Sequence, residues 1–189
     1  MINVNNVNSI PNIKIQRLSP NAVIPFRAHQ SDACFDLVAT SITHVSNSGV
    51  DRSLNFIEYG LGFRTIIPEG YEAVIRPRSS ISKYDLILVN SPATIDSNYR
   101  GEWKLRFKII PRILLDGSYA PMVDKPIIYN VGDKIAQVTI KRRGECTWEE
   151  CDLESLIQAE TEQAIAANST SSLRGDGAFG STGSSTTNI

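Results

Sequence analysis

Between Glu102 and Ile110 the chain alternates, with Trp103, Leu105, Phe107 and Ile109 on one side and Lys104, Arg106 and Lys108 on the other. A repeat of two sets one face against a core and one in water, which predicts a β-strand. Ile135–Lys141 repeats the pattern, Ala136, Val138 and Ile140 lying opposite Gln137 and Thr139. Tyr71–Arg76 is a shorter strand stopped by Pro77, and Ile13–Leu18, Phe35–Ala39, Leu61–Ile67 and Leu86–Val89 extend the set. Short strands punctuated by Pro and Gly predict an all-β sandwich or barrel.

After Thr147 the period changes. Leu153, Leu156, Ile157, Ala164 and Ile165 fall near helical spacing, and Thr147 with Glu150 three residues on reads as a capping box. These patterns divide the chain into a loose Asn-rich N-terminal arm (1–12), a β domain (13–148) with a Pro- and Ile/Leu-rich insertion at 108–130, a helical connector (149–167) and a C-terminal arm (168–189). Ser, Thr and Gly supply 14 of the 22 residues in that last segment, a composition that builds no core, so a mobile arm is expected.

Composition narrows the function. The 189 residues carry 19 Lys plus Arg against 20 Asp plus Glu, a net charge of −1, which argues against a dedicated nucleic-acid binder. No apolar run reaches the roughly 18–20 residues of a membrane helix. The N-terminus has neither the basic start nor the apolar stretch of a secretory signal. Cys34, Cys146 and Cys151 are an odd number without a CxxC pair, and His29 and His44 complete no zinc set. A reducing, cytoplasmic or otherwise intracellular setting is expected.

Five segments can carry chemistry, each with a plainer reading beside it. Arg174 to Gly183 is glycine-rich, with Ser181, Thr182 and Phe179, the one aromatic in the last 40 residues. Backbone amides freed by glycine, hydroxyls and an arginine fork can cradle phosphate, and an aromatic ring can stack on a base; the plain alternative is a low-complexity linker. Arg76-Pro77-Arg78-Ser79-Ser80 is an anion site or a polar turn. Asp96, between turn-forming residues, activates water or bonds its own backbone, and Tyr99 is a ring platform or core packing. Gly132-Asp133-Lys134 is a tight turn, while Gln137 reaches a ligand from between apolar neighbours. Asp36 satisfies backbone amides or faces metal-bound water.

In order, Ala33-Cys34-Phe35-Asp36-Leu37, Pro77-Arg78-Ser79-Ser80, Ile95-Asp96-Ser97-Asn98-Tyr99-Arg100-Gly101, Gly132-Asp133-Lys134-Ile135-Ala136-Gln137 and Arg174 to Gly183 resemble the five motifs of the trimeric deoxyuridine triphosphate nucleotidohydrolases, the dUTPase family. The resemblance spans roughly 13–148 plus 174–183. It implies a distorted jelly-roll subunit, a homotrimer with active sites between subunits, and Mg²⁺-dependent hydrolysis of dUTP to dUMP and pyrophosphate. On that basis Asp96 activates the attacking water at the α-phosphorus and Tyr99 packs under the deoxyribose. Asn90 and the hairpin around Thr94 and Ile95 read uracil. Arg78, Ser79, Ser80 and Gln137 contact phosphate, and Asp36 holds waters of the Mg²⁺ shell. Arg174, Gly180, Ser181 and Thr182 close on the outer phosphates while Phe179 stacks on uracil.

The chain departs from the family pattern at Cys34, Ala93 and Ala178, where glycine is usual, and at Asn98 and Lys134. Two other readings stand beside the hydrolase: a nucleotide-sensing or protein-binding trimer, with a regulatory partner on 108–130, and a dCTP deaminase of the same fold.

Overall fold

A computed structural model describes residues 10–45, 56–110 and 126–166. The chain divides into two units, Met1–Gly144 and Glu145–Ile189. Among its described residues the first unit holds ten strands: β1 (Lys14–Arg17), β2 (Phe35–Val38), β3 (Ser41–Val45), β4 (Phe56–Gly60), β5 (Phe63–Ile66), β6 (Tyr71–Arg76), β7 (Leu86–Leu88), β8 (Ala93–Ile95), β9 (Lys104–Ile109) and β10 (Lys134–Arg142). They form two four-stranded sheets, β2-β10-β6-β8 and β3-β4-β9-β7, and a ribbon of β1 and β5. All pairings are antiparallel.

The alternating positions do what the pattern predicts. Trp103, Leu105 and Phe107 are buried while Lys104, Arg106 and Lys108 face solvent, although Ile109 stays 45% exposed. In the core, the Tyr59 ring meets Phe107 edge-on at 5.5 Å, and its hydroxyl donates to the Tyr129 carbonyl at 3.1 Å. Burial pushes both the Tyr59 and the Tyr129 phenols up to about 12.

β10 breaks the simple alternation. Lys134 pairs with Val38 and Ala136 with Leu37, so one extra residue is inserted on the β10 side. This bulge lets both Ile135 and Ala136 turn inward, each 0% exposed. Three strands lie outside the predicted set: β3, β4 and β8. Ala93, at a position where glycine was noted as usual, is a buried strand residue opposite Ile75, so its backbone is extended and a β-carbon fits.

The second unit contains α1 (Leu153–Ala166). It does not begin at the predicted capping box of Thr147 and Glu150. Asp152 is the cap, its Oδ1 accepting from the Ser155 amide at 2.8 Å, and that bond holds the Asp152 carboxyl below its ordinary range. Leu153, Leu156, Ile157 and Ile165 are exposed. Among the described residues, no helix is long and apolar enough to cross a membrane. Most of the proposed N-terminal arm, residues 111–125 of the 108–130 insertion and the whole of 168–189 lie outside the described residues, including Ala178.

Candidate active site

The site residues fall into two groups, each fixed by the β2-β10-β6-β8 sheet. The first surrounds the passage from β7 to β8. Because β7 pairs with β9 and β8 with β6, the chain crosses from one sheet to the other between Leu88 and Ala93. The expected uracil-reading hairpin is therefore a crossover, not a pair of strands bonded to each other. Its Ser91–Pro92 peptide is cis, and the Val89 amide donates to the Arg106 carbonyl at 2.9 Å. A cleft of about 460 Å³ opens beside it, bringing together Asn90, Thr94, Ile95, Asp96 and Tyr99.

Asp96 opens a turn in which its carbonyl accepts from the Tyr99 amide at 3.1 Å, and Arg100 braces that turn through the Ser97 carbonyl at 2.6 Å. The Asp96 side chain is exposed at the cleft. The Tyr99 hydroxyl donates to the Glu102 carbonyl at 3.0 Å, which folds the ring back over Gly101. A β-carbon at Gly101 would lie 2.6 Å from the Tyr99 Cζ, so only glycine seats the ring there.

The cleft has a charged wall that the sequence does not reveal. Glu58 Oε1 accepts from Lys104 Nζ and its Oε2 from Arg106 Nε, both at 2.9 Å. The Lys104 hydrogen bond holds the Glu58 carboxyl below its ordinary range, with Arg106 adding to the effect and burial opposing it. The same bond raises Lys104. Read from sequence, Lys104 could approach a phosphate or be an exposed strand lysine; its place in the cleft with Asp96 comes from the β4–β9 register, which sets Glu58 opposite Arg106.

The second group sits at the far end of β6. Arg78 to Ser80 leave that strand through Pro77 into a short 3₁₀ turn, Ser79–Lys83. Gln137 lies opposite both Asp36 on β2 and Arg76 on β6, and its Nε2 donates to the Pro77 carbonyl at 3.2 Å. Arg76 turns to Thr139 instead, donating from Nη1 to its Oγ1 at 3.2 Å. Asp36 Oδ1 is 3.0 Å from Arg78 Nε and its Oδ2 is 2.8 Å from Lys134 Nζ. The expected turn before β10 is present, with Gly132 at φ +93° and the Asn130 amide donating to Asp133 Oδ2 at 2.7 Å. Arg174, Phe179, Gly180, Ser181 and Thr182 lie outside the described residues.

The two groups are not neighbours. β8 and β2 are opposite edges of the sheet, three strand spacings or about 14 Å apart. Ile95 is level with Ala73 and Asp36 with Arg76, so the Asp96 turn is also displaced along the strands by about 13 Å.

A family profile described as dUTPase matches residues 20–183. The deoxyuridine 5'-triphosphate nucleotidohydrolase of Mycobacterium marinum (strain ATCC BAA-535 / M) is 35% identical over 174 residues, covering 90% of this chain and 94% of the relative. That of Wolinella succinogenes is 33% identical over 174 residues, covering 92% and 95%. A mutant dUTPase of Staphylococcus bacteriophage 80alpha, solved with dUpNHpp, shares the fold with a TM-score of 0.60 at 20% identity, over 92% of this chain and 99% of the other. The two-sheet architecture is thus a jelly-roll-like β fold, and the chain belongs to the dUTPase family.

Proposed function

We propose that this protein hydrolyses dUTP to dUMP and pyrophosphate, with Asp96 activating the water that attacks the α-phosphorus. The observation that carries the reading is the cleft in which the crossover Asn90–Ile95, the Asp96 carboxylate and the Tyr99 ring meet. Backbone groups of the crossover suit the edge of a pyrimidine. A ring seated on Gly101 offers a flat floor for a deoxyribose, and an exposed carboxylate can accept a proton from a water beside the phosphate. Hydrolysis at the α-phosphorus adds water across the anhydride, the hydroxyl going to dUMP and the proton to Asp96 before release.

Arg78, Ser79, Ser80 and Gln137 hold the phosphates in this reading. Because they lie roughly 20 Å from Asp96 in the same chain, farther than a triphosphate reaches, each site takes Asp96 from one subunit and Arg78 from another. The homotrimer of the family supplies that arrangement. Arg174, Phe179, Gly180, Ser181 and Thr182 are assigned to the lid over base and outer phosphates, which also defines 168–189 as a separate functional segment. Mg²⁺ enters with the triphosphate and neutralises its charge. A hard cation of this kind would be held by phosphate oxygens and water rather than by a dedicated set of protein ligands.

The test is pyrophosphate release from dUTP, dTTP, dCTP and UTP, with Mg²⁺ and with EDTA. Mg²⁺-dependent cleavage of dUTP alone is expected. Ammonia release from dCTP would make it a deaminase, and dUTP binding without turnover would make it a sensor.

A further inference from the structure

We infer that Lys134 is a phosphate-binding residue of this site and that Asp36 aims it, together with Arg78, at the triphosphate. The inference rests on the hydrolase reading but assigns Asp36 a different duty from the one the family resemblance implies. Both Asp36 oxygens are engaged by protein cations, Arg78 Nε at 3.0 Å and Lys134 Nζ at 2.8 Å, and the Asp36 side chain is only 14% exposed. Two cations against one carboxylate leave the cluster net positive, a poor seat for the water shell of a divalent cation and a good one for a phosphate.

The geometry on either side limits where the cations can point. Arg78 uses Nε on Asp36 and a long Nη1 contact, 3.4 Å, on the Lys134 carbonyl, so its guanidinium is held edge-on to the carboxylate. Lys134 Nζ lies 4.8 Å from the centre of the Phe26 ring, and Phe26 is itself tied to Asp36, whose amide donates to the Phe26 carbonyl at 2.7 Å. The Lys134 and Arg78 side chains remain 35% and 31% exposed, so their remaining N–H groups are open to a ligand. Gln137, directly opposite Asp36 in the β2–β10 register, stands on the same face. Lys134 is thereby a direct ligand contact and Asp36 a positioning residue.

The experiment measures binding of inorganic pyrophosphate and of deoxyuridine to the full chain by calorimetry in EDTA, and dUTP turnover as a function of Mg²⁺. Lys134→Ala is expected to weaken pyrophosphate about tenfold, leave deoxyuridine unchanged, and be restored by Lys134→Arg. Asp36→Asn is expected to weaken pyrophosphate similarly and raise KM for dUTP, while the Mg²⁺ concentration for half-maximal turnover stays put. Pyrophosphate binding by Lys134→Ala equal to that of the unmodified chain would overturn the inference. So would an Asp36→Asn protein that binds pyrophosphate normally yet needs more Mg²⁺. If Asp36→Asn fails to fold, the Lys134 pair decides alone. None of these binding readouts requires turnover, so a chain that binds pyrophosphate through Lys134 but leaves dUTP intact would defeat the hydrolase reading only.

Discussion

The two edges of the β2-β10-β6-β8 sheet each carry an aspartate, and they use it in opposite ways. At the β8 edge Asp96 sits in an exposed turn, and among the described residues no cation is paired with its carboxylate. At the β2 edge Asp36 is clasped between Arg78 and Lys134. An unpaired carboxylate keeps its lone pairs for an incoming proton, whereas a clasped one orients the groups that clasp it. In the function proposed above, one side-chain type serves as base at one edge and as a holder of cations at the other.

The sharpest way to break this contrast is Asp96→Asn, which leaves the shape and removes the base. Turnover of dUTP should fall about a thousandfold, with the melting temperature unchanged; full activity would remove Asp96 from the chemistry. Next comes a mixing experiment. Co-expressing Asp96→Asn with Arg78→Ala chains in equal amounts should restore about a quarter of the sites, because only sites drawing each residue from the intact donor work. Recovery absent from the mixture would mean that both residues serve one site from one chain. Gly101→Ala tests the Tyr99 seat. Displacing the ring should lower kcat/KM for dUTP about tenfold and narrow the preference over UTP. The smallest effect belongs to Glu58→Gln. Because Lys104 lowers the Glu58 carboxyl from its usual 4.5, its contribution to stability is present above that pH and fades as the medium acidifies through the folded value. The gap in melting temperature between the two proteins should be small at pH 7 and close toward pH 3.

Much of this was legible in the sequence, and the exceptions share a cause. β9 and β6 announce themselves because their faces differ in polarity, and five ordered motifs mark the family. β8 is three residues long, too short for a period, and β3 reads Ser-Ile-Thr-His-Val with an exposed edge that alternates weakly. The helix start was misplaced because Thr147/Glu150 and Asp152/Ser155 both offer capping chemistry, and only the backbone decides between them. The Glu58, Lys104 and Arg106 wall was invisible for a different reason: no local pattern links residues 46 positions apart. Likewise, Asp36 and Lys134 could each be singled out, but their ion pair belongs to the β2–β10 register.

The bulge on β10 also has a meaning for how such chains tolerate change in length. Lys134 and Gln137 are an odd number of positions apart, and a regular strand would send them to opposite faces. The extra residue reverses that parity, so both stand with Asp36 and Val38 on one side. Exchange of Ile135 for valine keeps the count and should be tolerated. Insertion of a single residue between Lys134 and Gln137 changes the count and turns one of them away. In this segment, arithmetic constrains the protein more tightly than composition does.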